Sequence, residues 1–249
     1  LAFECPMAGT ITMQNPNGEN QYVCGIASYQ GNITFQQGIT KDGHIQAYFG
    51  GGKNTFGIIA QAGSVTILGD MAGEIDVQAG VSHNAFGIYA AQGDVTVTGD
   101  ISGALYARAG SGSGYGIYAS NDIAVAAISG SVTGDCYNKV MANSQSGAGA
   151  LYAGGSIYGS KAEAEVKPIE LTGTLSSTVG RSGAFTVQAT EDVYIDLGSS
   201  AAIEAQSSYG AAWTELEGSY TGMEDNWGGT AVCVIANGDI NLTGADENC

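Results

Sequence analysis

The chain has 249 residues, 40 of them glycine and only 3 proline, with a formal net charge of −17 from 24 acidic and 7 basic residues. Collagen would need glycine at every third position, and a disordered chain would hold fewer apolar residues than the 44% here. So negative a field repels phosphate backbones and anionic lipid, which excludes nucleic acid and membrane surfaces as partners, and no apolar run reaches the roughly 18 residues of a membrane span.

The chain opens at Leu1 with no signal peptide, which reads as processing or as a fragment of a longer protein. Cys5 and Cys24 are placed to close one early loop as a disulfide, leaving Cys136, Cys233 and Cys249 as an odd set. None stands in C-x-x-C spacing, and Cys249, at the far end, is placed to pair between chains.

From Ile26 onward one short strand recurs. Phe56-Gly57-Ile58-Ile59-Ala60, Phe86-Gly87-Ile88-Tyr89-Ala90 and Tyr115-Gly116-Ile117-Tyr118-Ala119 say nearly the same thing at intervals of 30 and 29 residues. Its apolar anchor runs Ile26, Ile58, Ile88, Ile117, Leu151, Val187, Val234, with a small residue two positions on: Ser28, Ala60, Ala90, Ala119, Ala153, Ala189, Ala236. Residues two apart share a strand face, so these form the inward pair. By the same parity Phe56, Phe86 and Tyr115 point inward, and Ile59, Tyr89, Tyr118, Tyr152, Gln188 and Ile235 point out.

A second strand follows each turn, as in Ile33-Thr34-Phe35, Val65-Thr66-Ile67 and Val95-Thr96-Val97. A third appears at Ile45-Gln46-Ala47, Ile75-Asp76-Val77, Leu105-Tyr106-Ala107 and Ile203-Glu204-Ala205. The pattern predicts an all-β fold, a parallel β-helix (a β-solenoid) with three short strands per coil of about 30 residues and about seven coils. No linker divides the chain, so it reads as one domain, with regular coils over 22–135 and longer loop insertions over 136–249. Residues 163–167, before Pro168, predict a hairpin or a helical turn, and the aromatic-rich stretch 207–230 is the largest departure from the period.

Candidate chemistry is sparse. Asp70 and Asp100 occupy equivalent Gly-Asp turns, with Asp135 as a third member of the row, and stacked carboxylates call for a bridging cation, for which calcium is the candidate. No other cofactor is indicated. Outward Tyr89, Tyr118 and Tyr152 predict an aromatic stripe suited to sugar rings or an apolar partner, and Trp213 and Trp227 mark a recognition loop. After Arg181 come eleven Asp or Glu and no Lys or Arg. His44 and His83 lack a nucleophile at recognisable spacing, and Asp76, Asp196 and Glu204 are the carboxylates a glycosidase would draw on.

The phrase Gly-Ile-Tyr-Ala at 87–90, followed by Gly-Asp-Val-Thr-Val-Thr-Gly-Asp-Ile-Ser-Gly at 93–103, resembles the repeats of large bacterial surface proteins, the adhesin and autotransporter-passenger β-helices. The resemblance covers 22–135 clearly and transfers no catalytic residue. It implies export to an extracellular or cell-surface location in bacteria and a role in adhesion or matrix building. The expected function is therefore non-enzymatic adhesion or structural spacing, with a host or matrix glycan or protein, or copies of the chain itself, as partners. A self-assembling fibre stacked head to tail and a carbohydrate-active lyase or glycosidase are the alternatives.

Overall fold

The computed structural model describes residues 1–15, 22–49, 54–80, 83–110, 112–136, 147–162, 165–179, 184–207, 212–216 and 231–244, with side chains described throughout except at 207 and 212–216. These residues form an all-β stack of coils with no helix among them: three parallel sheets wrap one apolar core, as the period predicts.

The first sheet holds the recurrent strands Val23–Ser28, Thr55–Ala60, Ala85–Ala90, Gly114–Ala119, Ala148–Ala153, Ala184–Ala189 and Ala231–Ala236. Every anchor in the sequence row pairs with the next: Ile26 with Ile58, Ile58 with Ile88, Ile88 with Ile117, Ile117 with Leu151, Leu151 with Val187 and Val187 with Val234. The second sheet pairs Ile33–Phe35, Val65–Ile67, Val95–Ile101 and Ile123–Ile128 in order. The third pairs Thr10–Asn15, His44–Phe49, Glu74–Ala79, Ala104–Ala109, Ser131–Cys136, Thr174–Val179 and Ala202–Ser207. Stacking places every inward column of Ile, Val and Leu against its copy one coil away, and each such side chain taken out of water contributes about 1.5–3 kcal/mol.

The first-sheet strands do not alternate simply. Pairing passes from Phe56–Phe86 to Ile58–Ile88 with no rung between Gly57 and Gly87. Thr55 and Ile58 are both fully buried, and a Cβ on Gly57 would stand 2.5 Å from Ile75 Cγ2 inside the coil. The order is thus in, out, in, in, out, in, so the glycine steps the strand half a period out of phase. This corrects the inward reading of Phe56, Phe86 and Tyr115. They lie on the outer face, in a small cluster with Ile59 that is separate from the main core.

The third residue of each strand also sets the coil's inner volume. It is Gly25, Gly57, Gly87 and Gly116 while Ile45, Ile75, Leu105 and Val132 press against it from the third sheet. In the next coils it becomes Ala150 and Thr186, where Gly134 and Ser177 make room opposite; Ser177 and Thr186 hydroxyls lie 2.8 Å apart in the buried interior.

The expected departures are local. After Ile157–Tyr158 the chain leaves the second sheet as an antiparallel hairpin, Ser160–Ala162 against Glu165–Lys167, then rejoins it at Ile169–Leu171. At the end of the third sheet, Ala212–Leu216 folds back antiparallel onto Ala202–Ser207 and covers that edge.

The expected Cys5–Cys24 disulfide is absent, and both thiols are free. Cys5 is exposed at the corner between the second and third sheets, between Phe3, which pairs with Phe35, and Met7, which bridges to Ile39. Cys24 pairs with Phe56 and packs on the outer face of the first sheet, on the opposite side of the coil. Proximity in sequence does not bring them together because half a coil of strand runs between them.

Candidate functional site

The phase step gives each first-sheet strand two outward positions. The first column is Cys24, Phe56, Phe86, Tyr115, Gly149, Phe185 and Val232; the second is Ala27, Ile59, Tyr89, Tyr118, Tyr152, Gln188 and Ile235. In the second column Tyr89 stacks on Tyr118 with centroids 4.9 Å apart, and Tyr118 on Tyr152 at 4.6 Å with planes 6° apart. In the first, Phe56 stacks on Phe86 at 5.2 Å, and Phe86 on Tyr115 at 6.0 Å. Edge contacts tie the columns together: Phe86 to Tyr118 at 5.7 Å and Tyr115 to Tyr152 at 5.5 Å. Tyr115 leans over Gly149, where a Cβ would meet its ring at 3.2 Å.

The stripe of Tyr89, Tyr118 and Tyr152 is therefore assembled as the sequence predicts, and Phe56, Phe86 and Tyr115 join it. Signal for the second column existed in the repeated phrasing Phe86-Gly87-Ile88-Tyr89 and Tyr115-Gly116-Ile117-Tyr118, but the glycine that reverses parity leaves no apolar mark of its own. The geometry changes what the stripe can do. Ring faces are occupied by neighbouring rings, so the stripe presents edges and hydroxyls, and a sugar ring finds few open faces to stack on. Burial, with the neighbouring Tyr152 and Tyr118, pushes the Tyr115 hydroxyl up to about 12, and burial also raises Tyr89 and Tyr118.

Charge is segregated by sheet. None of the seven first-sheet strands contains Asp, Glu, Lys, Arg or His, on either face. The outer face of the third sheet carries Glu74, Asp76, Arg108 and Glu204, and that of the second carries Glu170 and Asp196. In a chain of net charge −17, the first sheet is thus the uncharged one among the described strands.

The acidic residues have a task of their own. At the corner between first and second sheets, each side chain accepts the backbone N–H of its equivalent one coil on. Asn32 accepts from Ser64 (2.9 Å), Ser64 from Asp94 (3.0 Å), Asp94 from Asp122 (3.2 Å), Asp122 from Ser156 (2.8 Å), and Asp192 from Asp239 (2.8 Å). Asp70 and Asp100 belong to a second such row: the Asp100 N–H donates to Asp70 Oδ1 at 2.9 Å, and the Ser129 N–H donates to Asp100 Oδ1 at 2.9 Å. The Ser129 hydroxyl donates to the other Asp100 oxygen. The third member of this row is thus Ser129 and not Asp135, which pairs with Arg108 in the third sheet and accepts the Thr178 N–H at 3.1 Å. Stacked carboxylates here are separated by N–H donors, which lowers their mutual repulsion without an ion. No group of three metal-capable side chains occurs among the described residues.

On the third sheet, the Tyr48 hydroxyl donates to Asp76 Oδ2 at 2.9 Å, Arg108 stands 3.6 Å from Asp76 Oδ1, and the Arg108 guanidinium lies 4.9 Å above the Tyr106 ring. Asp76 and Glu204 share a column but are separated by Tyr106, Thr133 and Ser176, four rungs or about 19 Å. Asp196 is on the second sheet, where Thr243 donates to it at 2.8 Å. Paired glycosidase carboxylates stand about 5–10 Å apart across a cleft, and these three do not converge. His44 faces Glu74 at 3.5 Å on the third sheet, away from His83 at the corner before the first. The Trp213 side chain and Trp227 lie outside the described residues.

No protein-family model, no curated protein and no solved structure matches this chain.

Proposed function

We propose that this chain is a non-enzymatic segment of an extracellular or cell-surface protein, bacterial by the resemblance of its repeats, acting in adhesion or as a structural spacer. The observation that carries the reading is the uncharged, aromatic outer face of the first sheet on an otherwise acidic rod. Phe56, Ile59 and Phe86 are buried within the stripe while Tyr89, Tyr118 and Tyr152 stay partly exposed, an aromatic row at which a partner can dock. The stacked coils supply the spacer: seven first-sheet strands at about 4.8 Å spacing extend roughly 29 Å. A host or matrix glycan or protein, held through ring edges and phenol hydroxyls, is the partner class.

Surface plasmon resonance of the full chain against matrix glycans and proteins tests this. Binding is expected to vanish in the triple variant Tyr89→Ser, Tyr118→Ser, Tyr152→Ser, and binding that survives unchanged removes the stripe as the contact. Turnover of any polysaccharide, lost in Glu204→Gln or Asp196→Asn, would replace the reading with an enzymatic one.

A second reading, a fibre stacked head to tail, draws on the end rungs. Met13 is 46% exposed on the strand at one end and Ile240 is 45% exposed at the other. In the first two sheets the end strands run parallel to their neighbours, so one copy's last rung can extend another's first there, while Ala212–Leu216 closes the last edge of the third sheet.

A further inference from the structure

We infer that the partner the aromatic face fits is a second copy of the chain, packed first sheet against first sheet as a closed two-fold pair. The inference rests on the contact-face reading above and names its occupant.

Three observations carry it. The first is charge. Two chains of −17 each repel wherever their second or third sheets approach, since both outer faces carry carboxylates. Only the first sheets can meet without opposing like charges across the contact.

The second is spacing. A ladder of side chains on one solenoid recurs at the rung distance, and only another stack with that rung distance stays in register with it along the whole stripe. A second copy has the matching ladder by construction. Ring faces are already covered within each chain, with centroids 4.6 and 4.9 Å apart, so the surfaces left to mate are rows of ring edges. Identical ladders facing each other form a dry, interlocked layer between sheets, about 10 Å from backbone to backbone.

The third is extent and symmetry. Six rung intervals by a six-residue strand give a footprint of about 600 Å² per partner, at the low end of what a specific pair buries. A two-fold through the middle strand, Gly114–Ala119, sets Tyr118 opposite the partner's Tyr118. It also sets the first rung of one copy over the last rung of the other.

Sedimentation equilibrium of the full chain, kept reduced so that Cys5 cannot crosslink, tests the pair from low micromolar to submillimolar concentration. A monomer–dimer equilibrium is expected that tightens as salt rises. Tyr118→Asp, which sets two carboxylates against each other at the axis, is expected to weaken it at least about tenfold. Tyr106→Asp on the third sheet is expected to leave it unchanged, and far-ultraviolet circular dichroism checks that both variants keep their β fold. Monomer at every concentration overturns the inference, as does a dimer that ignores Tyr118→Asp or responds equally to Tyr106→Asp. Open-ended growth with concentration also overturns it, in favour of head-to-tail stacking. Glycan or protein binding lost in the triple tyrosine variant of a monomeric chain would leave the contact face standing while the pair falls. A dimer with no other ligand would uphold the pair alone.

Discussion

Tyr118 and Tyr152 sit one coil apart with their rings 4.6 Å from centre to centre and only 6° from parallel. The backbone pairing of Gly114–Ala119 with Ala148–Ala153 forces this: side chains at one ladder position are held at the rung distance, close to the thickness of two stacked rings. Such pairs contribute about 0.5–1.5 kcal/mol beyond the area they bury. Replacing Tyr89, Tyr118 and Tyr152 together by Ser removes two of them along with part of the outer apolar layer, while the inward Ile88, Ile117 and Leu151 are untouched. The variant is expected to keep its β-type circular dichroism and to melt several degrees lower. Loss of the β signature would show the stripe to be part of the core.

Gly87 leaves no room for a side chain. A Cβ there would lie 2.3 Å from Leu105 Cδ2 and 2.6 Å from the Gly116 carbonyl oxygen, and the latter is backbone that cannot turn aside. Gly87→Val should therefore destabilise by about 3 kcal/mol or prevent folding. Combining it with Leu105→Ala should restore only part of the loss, since the carbonyl remains. A thermal melt of the single and double variants decides this.

The corner rows make a prediction about acidic residues. Asp122 accepts the Ser156 N–H at 2.8 Å and the Tyr158 hydroxyl at 3.1 Å, so Asp122→Ala leaves two donors between coils without a partner. A cost of about 1–3 kcal/mol is expected, and less in Asp122→Asn, which keeps one oxygen for the ladder. Because Asp70 and Asp100 likewise take N–H donors, adding calcium or a chelator is expected to leave the melting temperature unchanged. A rise with calcium that is lost in Asp100→Ala would establish an ion in that row.

Alkaline pH is expected to unfold the chain. Burial raises Tyr115 to about 12, and burial with the Asp122 and Asp76 carboxylates takes Tyr158 and Tyr48 to about 12 as well. An unfolded tyrosine ionises near 10. The folded state therefore holds these protons more tightly, so their contribution is complete below about pH 10 and is lost as pH climbs from 10 through 12. Tyrosinate absorbance and circular dichroism should change together in that window. Tyrosines that ionise near pH 10 with the fold intact would contradict the burial.

Free thiols provide a direct check on the early segment. Cys5 is exposed and should react quickly with a thiol reagent under non-denaturing conditions. Cys24 should react slowly, because burial beside Phe56 pushes its thiol up to about 11 and leaves little thiolate at neutral pH. Two equally protected cysteines would point to a bond between them.

The amino-acid sequence alone determined the coil. Ile26, Ile58, Ile88, Ile117, Leu151, Val187 and Val234 can be lined up by eye, and each pair is a rung, because a solenoid repeats in space whatever repeats along the chain. Tertiary structure decided what faces where. Gly57, Gly87 and Gly116 turn Phe56, Phe86 and Tyr115 outward, and a glycine has no side chain through which a hydrophobic pattern could announce that step. It also decided that Asp100 answers to Ser129 and not to Asp135, since a hydrogen bond between residues about one coil apart depends on which corners align after the insertions are absorbed. Periodicity reports the spacing of rungs; the direction of each side chain is a property of the stacked backbone.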